Sequence, residues 1–305
     1  MRARDFWRDL GWLVVLVITF AAPLTLDAAG RLTYFTSLCI WLIPILYAWP
    51  LFHRATAAGG NAPRRALRWS VAAIVVLGIA LDFVFGHVIL QFDARECQPD
   101  APRSYVWCLP AFGGAVVPVE ELLFYAMGPI AMVLVYVCAD YEWLSHYHRT
   151  PTENQLTSRL LQLSPGIAAT GIAGLLAAGV FVAVTGRVPA YYLFLLAGAL
   201  LPAMFLYRCI ASLVNWPAFA LTALYVIITS IVWEVTLAVP RGWWGYRKEA
   251  MILEIGTWSA PGRPFPIEAA FVWLCAPFSS LLLYEFVRAF HAHRRSTREA
   301  LLGPR

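Results

Sequence analysis

Two adjacent carboxylates open an apolar run of membrane-spanning length, in the stretch Pro118-Val119-Glu120-Glu121-Leu122-Leu123-Phe124. An ionised carboxylate costs roughly 2.5 kcal/mol or more in hydrocarbon, so acids at such a place indicate a functional site. A weaker copy, Pro266-Ile267-Glu268-Ala269-Ala270-Phe271, opens the last apolar run. Burial and a neighbouring carboxylate both favour a retained proton, so the Glu120–Glu121 pair predicts a proton donor and acceptor.

Two more acids lie inside apolar runs, Asp82 and Glu234. We expect Asp82 to be the third member of the proton-handling centre, with Glu234 and Glu268 as the contribution of the second half of the chain. The alternatives are a hydrated Glu120–Glu121 pair that caps its helix, and structural hydrogen bonds for the other three acids.

Aromatic side chains accompany these acids. Adjacent residues of a helix point about 100° apart, so Glu121 shares a face with Tyr125, whose hydroxyl is placed to bond it. Because ring faces attract cations, we predict that four aromatic residues form the walls of the substrate-binding site: Phe124, Tyr125, Trp233 and Trp244. Simple helix packing is the alternative for each of them.

The composition predicts the fold class, an all-α polytopic membrane protein. The chain is 60% hydrophobic and 13% charged, with a mean hydropathy of +0.66. Its net charge of +5 resides in loops as a topology signal, so no nucleic-acid partner is expected. Eight apolar runs have spanning length: Leu10–Leu26, Tyr34–Phe52, Leu67–Leu90, Phe112–Cys138, Ile167–Val184, Ala190–Tyr207, Pro217–Val239 and Pro266–Phe290.

The basic residues predict the orientation. With a cytoplasmic N-terminus, 15 of the 23 Lys and Arg residues fall in inner segments and eight in outer ones. This bias favours both termini in the cytoplasm, in a bacterial inner membrane. All five acids then fall in the outer half of the membrane or at its outer edge.

The two halves of the chain repeat several features in the same order, which predicts two tandem four-helix repeats, 1–150 and 151–305. The matched features are Tyr34 to Pro44 with Tyr192 to Pro202, Leu81-Asp82 with Trp233-Glu234, Pro118-Val119-Glu120 with Pro266-Ile267-Glu268, and Tyr141-Glu142-Trp143 with Tyr284-Glu285-Phe286. Repeats with an even number of helices keep one orientation, so a substrate site is expected between them.

Pro118-x-Glu120-Glu121-x-x-Phe124 resembles the signature of the membrane-integral lycopene cyclases, the heterodimeric or fused type of some bacteria, archaea and fungi. The acid on the preceding helix, Asp82, and the outer loop Trp243-Trp244-Gly245-Tyr246 are also similar to that family. The likeness extends from the second helix to the eighth. The second-half copy departs from the signature, with Ala269 in place of the second acid and Val272 in place of the Phe.

The resemblance implies a carotenoid end-group cyclase, an intramolecular lyase or isomerase that acts on a lycopene-like polyene. A proton adds to the terminal double bond, the next alkene attacks the tertiary cation, and a proton then leaves. No cofactor is implied, and membrane lipid and other carotenoid enzymes are the candidate partners. A carotenoid hydratase of similar build and a non-enzymatic lipid-binding or assembly protein remain the alternatives.

Other site types find little support in the sequence. His146-x-His148 and His291-x-His293 are too few for a di-iron centre and fit basic interface anchors, so no metal is expected. Cys97 and Cys108 share the loop before Pro118, and a disulfide between them stays open at this point.

Overall fold

A computed structural model describes residues 3–57, 60–92, 97, 105–149, 160–161, 164–256, 265–292 and 297–302. Nearly all regular structure in these residues is helical, which confirms the predicted fold class. The helices are α1 (Ala3–Ala28), α2 (Tyr34–Ser37), α3 (Cys39–Ala55), α4 (Ala62–Ile89), α5 (Val119–Cys138), α6 (Pro165–Thr185), α7 (Ala190–Leu195), α8 (Leu201–Ile210), α9 (Trp216–Trp233), α10 (Val239–Arg241), α11 (Ile267–Ala292) and α12 (Thr297–Leu302).

Eight helical spans in the described residues are long and apolar enough to cross a membrane, as the sequence predicts. Three spans contain a π-helical segment: Ala139–Trp143 after α5, Leu196–Leu200 between α7 and α8, and Glu234–Ala238 after α9. Such segments are rare and concentrate at functional sites. Two of the three border the cavity described below.

The fourth span differs from its prediction at the N-terminal end. The sequence predicts a helix from Phe112, but α5 begins at Val119. Gly113 and Gly114 adopt positive φ angles of 70° and 75°, which other residues rarely reach, and they turn the chain before the helix starts. The correction places Glu120 and Glu121 in the first turn of α5.

The helix α5 lies at the centre of the bundle. It packs against α3 and α4 on one side and against α9 and α11 on the other. About 61% of its span is buried, against 11% for α6, which packs mainly on α7 and α8 at the periphery. Acids on α5 are therefore shielded by protein on several sides.

Short antiparallel hairpins precede α5 and α11, the helices that carry Glu120, Glu121 and Glu268. The strands β2 (Cys108–Pro110) and β3 (Val116–Pro118) pair before α5, and β5 (Glu254–Gly256) and β6 (Phe265–Pro266) pair before α11. A disulfide joins Cys97 to Cys108 and so ties the first hairpin to the loop that precedes it. This answers the question that the sequence leaves open.

The strand β1 (Leu90–Gln91), which follows α4, pairs with β4 (Gly245–Tyr246) in the loop after α10. The pairing brings a loop of the N-terminal half against a loop of the C-terminal half. It places the side chains of Trp244 and Tyr246 beside Glu234, which directly follows α9.

Candidate functional site

An elongated cavity of about 240 Å³ lies among α4, α5, α7 and α11. Its walls are almost entirely apolar and aromatic. At one end it meets the first residues of α2, α5, α7 and α11, together with Glu234 and the loop that carries Trp244 and Tyr246. We call this the acid end of the bundle, because Glu121 and Glu234 line the cavity there.

The cavity runs from the acid end into the middle of the bundle. On α5 its lining extends from Glu121 to Met132, and on α11 from Ala269 to Ser280. At 1.5 Å per residue, eleven residues of helix correspond to ~16 Å. The cavity is partly open to the surroundings, and Leu77 of α4, one of its lining residues, is 49% exposed. The shape suits one end of a long apolar molecule that enters from the bilayer.

Glu121 is buried and has one hydrogen-bond partner among the described residues. The hydroxyl of Tyr34 donates to Glu121 Oε1 over 2.6 Å. Tyr34 is itself held in a cluster of rings, stacked on Trp243 with centroids 5.5 Å apart and tilted against Trp244 at 5.4 Å. The position of the Glu121 carboxyl is thus set by residues from both halves of the chain.

Among the described residues, three side chains donate hydrogen bonds to Glu234. Trp273 Nε1 donates to its Oε2 over 2.5 Å, and Trp244 Nε1 donates to its Oε1 over 3.3 Å. The hydroxyl of Tyr246 also donates to Oε1. Burial raises the pKa of the Tyr246 hydroxyl well above its usual range, and the charge of Glu234 raises it further. Tyr246 therefore keeps its proton and remains a donor.

Glu120 and Glu268 face away from the cavity and fasten the two hairpins. Glu120 Oε1 accepts a hydrogen bond of 2.6 Å from the backbone N–H of Val106. Glu268 Oε1 accepts one of 2.5 Å from the backbone N–H of Ile252. Both acids are buried, and both bond to the chain that leads into their own hairpin. Of the predicted adjacent pair, only Glu121 reaches the cavity.

Asp82 lies behind the cavity wall. The sequence predicts that the hydroxyl of Tyr125 bonds Glu121, but it donates to Asp82 Oδ1 over 3.0 Å instead. The Tyr125 ring lies against Gly78, one turn before Asp82 on α4. A Cβ atom at Gly78 would approach Cε1 and Cγ of Tyr125 to 2.6 Å, closer than real Cβ atoms come. Glycine at this position is what admits the ring.

Three of the four predicted aromatic walls line the cavity: Phe124, Tyr125 and Trp244. Trp233 lies in the layer behind them, stacked on Phe124 with centroids 5.9 Å apart and an interplanar angle of 12°. Phe124 also meets Trp273 edge to face at 5.7 Å. The rings form a continuous apolar wall around the acid end.

The sequence reasoning misses three residues of the acid end: Tyr34, Tyr246 and Trp273. Each donates a hydrogen bond to one of the two acids that line the cavity. A usable signal exists, because a buried Tyr or Trp must satisfy its polar group and a buried acid needs donors. The sequence alone does not show which donor meets which acid.

None of the ion pairs formed by the described residues involves Asp82, Glu120, Glu121, Glu234 or Glu268. Glu121 interacts electrostatically with Asp82, Glu120 and Glu234, so these carboxyls are neighbours. Neighbouring buried carboxyls without a countercharge cannot all be ionised. At least one carboxyl of the acid end is therefore expected to keep its proton.

A second buried polar cluster lies at the opposite end of the bundle, and its acids form ion pairs with Arg288 and His148. Asp140 Oδ2 lies 2.7 Å from His148 Nδ1, and Asn215 Nδ2 donates to Asp140 Oδ1 over 2.7 Å. Arg288 forms an ion pair of 2.7 Å with Glu285. His293 lies outside the described residues, and within these no group of three or more His, Cys, Asp or Glu side chains is placed to hold a metal ion. The cluster joins helices of the two halves.

No protein-family model, no curated protein and no solved structure matches this chain.

Proposed function

We propose that this protein is a membrane-embedded carotenoid end-group cyclase of the lycopene cyclase type, an isomerase that closes a ring at the end of a linear polyene. One observation carries the proposal. A long apolar cavity that is partly open to the surroundings ends at two carboxyls, Glu121 and Glu234. A polyene is the kind of apolar substrate on which such acids have proton chemistry to perform.

The chemistry of ring closure matches what the acid end supplies. Protonation of an alkene needs a carboxylic acid that keeps its proton, and buried neighbouring carboxyls retain one. The tertiary cation that follows needs surroundings that exclude water. Phe124 and Trp244 line the cavity there, and their ring faces attract cations. No change of oxidation state occurs, so the reaction itself demands no cofactor.

The proposal includes a tandem repeat, with units 1–150 and 151–305, and a site between them. Glu120 and Glu268 each bond back to the backbone before their own hairpin, 14 and 16 residues earlier in the chain. The pair of Tyr125 with Asp82 likewise corresponds to the pair of Trp273 with Glu234. The proposed setting is a bacterial inner membrane with both termini in the cytoplasm, which puts the acid end in the outer half.

Expression in a lycopene-accumulating bacterium tests the function. The pigments are separated by chromatography, and their molecular masses are measured by mass spectrometry. We expect the wild-type chain to form a cyclic product of unchanged mass, and Glu121→Gln to abolish it. Glu249→Gln is the matched control, because Glu249 is an exposed acid of the loop near the acid end. A product heavier by one water would indicate a hydratase. Unchanged lycopene beside well-inserted protein would indicate a lipid-binding or assembly role and refute the proposal.

A further inference from the structure

The two acids that line the cavity differ in their hydrogen-bond partners. Both oxygens of Glu234 accept from groups that hold a proton to donate, and two of these are indole N–H groups. An indole nitrogen has no lone pair to offer, so it cannot accept a proton from a carboxylic acid O–H. Several donors directed at one carboxyl favour its ionised form. The hydrogen-bond partners of Glu234 are therefore those that suit an ionised carboxylate.

Glu121 is surrounded differently. Its one described partner is the hydroxyl of Tyr34, which can donate or accept a hydrogen bond. Its charged neighbours are other acids, Asp82 first among them. Like charges and an apolar cavity both disfavour the carboxylate form. Glu121 is therefore placed to carry a proton towards the cavity, whereas the donors around Glu234 favour its carboxylate form.

We infer that Glu121 is the proton donor and Glu234 the proton acceptor of one shared site, an inference that rests on the proposed function. The Glu121 O–H bond breaks as a C–H bond forms at the terminal alkene. The next alkene then closes the ring carbon–carbon bond, and the cation moves to a ring carbon. A neighbouring C–H bond breaks, its electrons form the ring alkene, and its proton goes to Glu234. Exchange with solvent afterwards returns both acids to their starting states.

Trp273, Trp244 and Tyr246 are positioning residues in this scheme. They hold Glu234 at the cavity wall through bonds to both of its oxygens. The second half of the chain thus supplies the base through Glu234. This accounts for Ala269, which lines the cavity at the place that matches Glu121. A second donor there is not needed.

Hydrogen exchange into unreacted substrate distinguishes the two acids. Membranes that contain each variant are incubated with lycopene in D₂O buffer, and the deuterium content of the recovered lycopene is measured by mass spectrometry. We expect Glu234→Gln to reduce cyclic product roughly 10²-fold while deuterium enters acyclic lycopene, because the cation forms and then returns a proton to Glu121. Glu121→Gln should lose the cyclic product and leave lycopene unlabelled, while Glu249→Gln should behave as the wild type.

Labelled lycopene from Glu121→Gln but not from Glu234→Gln would overturn the assignment, and so would unlabelled lycopene from both variants beside an active wild type. Trp273→Phe gives a milder test, since it keeps the Glu234 side chain and removes one donor. It should raise the ratio of labelled lycopene to cyclic product, and an unchanged ratio would contradict the positioning role. A wild-type chain that forms no cyclic product would instead refute the proposed function. The wild-type sample therefore tests the function separately from the assignment of the two acids.

Discussion

Gly78→Ala should disable the site through a side chain on another helix. The added Cβ would overlap Cδ1 of Tyr125 and would lie 2.6 Å from Cε1 and Cγ of the same ring, whereas ordinary contacts begin near 3.4 Å. Because Cδ1 would lie closer still, the ring must retreat by more than the 0.8 Å that separates 2.6 from 3.4 Å. The Tyr125 hydroxyl now donates to Asp82 over 3.0 Å, and a displacement of that size takes it beyond hydrogen-bonding distance. The same movement pushes the ring into the cavity.

Two opposing terms decide the effect of Gly78→Ala on stability. Asp82 is buried, and loss of its described donor costs roughly 1–3 kcal/mol. Replacement of Gly by Ala inside a helix contributes about 1 kcal/mol in the opposite sense. The net loss of unfolding free energy is then roughly 0–2 kcal/mol, so the variant still folds. Turnover is more sensitive, because a misplacement of ~1 Å near a reacting group costs up to about 10²-fold.

The assay compares cyclic product per amount of inserted protein for Gly78→Ala and Gly86→Ala. Gly86 is a matched control on the same helix, since its added Cβ would meet only Asp82 Cβ, at an ordinary 3.9 Å. We expect a loss of roughly tenfold or more at position 78 and none at position 86. In a Tyr125→Leu background Gly78→Ala should have little further effect. Full activity of Gly78→Ala, or an equal loss at Gly86, would refute the reasoning.

Two other changes separate the cavity from the scaffold. Gly128 lines the cavity, and an added Cβ there would meet nothing within 4 Å. Gly128→Val should therefore block substrate binding and leave the melting temperature unchanged. Gly179→Val, on the exposed face of α6, should change neither substrate binding nor the melting temperature. Arg288→Met leaves Glu285 and Asp140 buried without their cation, so we expect a loss of about 3–5 kcal/mol in denaturant or thermal unfolding. A normal melting temperature would contradict this account of the far cluster.

The sequence predicts the spans and the gathering of the acids well. Long apolar runs leave one structural solution in a bilayer, so the eight helices follow from hydropathy alone. The acids converge because their positions along the helices place them at similar depth. The start of α5 is wrong by seven residues, since apolar Ala and Val around Gly113 and Gly114 read as helix although these glycines turn the chain.

The orientation of individual side chains is what the sequence does not specify. A membrane helix is apolar all round, so its sequence gives no inward face, and the rotation of α5 depends on packing against α3, α4 and α11. That rotation directs Glu121 to the cavity and Glu120 to the backbone of Val106. The partners of Glu234 likewise come from a distant loop and from α11, through contacts that no local pattern encodes.

Acid and base on different helices suit the proposed reaction better than an adjacent pair would. In ring closure the proton enters at one carbon and leaves from another, so the donor and the acceptor must meet different parts of the end group. Neighbouring residues of a helix diverge by about 100°, and the structure uses that divergence to send Glu120 into the scaffold. Glu234, on another span, reaches the same cavity as Glu121 from a separate direction. A cavity between two such acids can hold the polyene end with one acid at each reacting carbon.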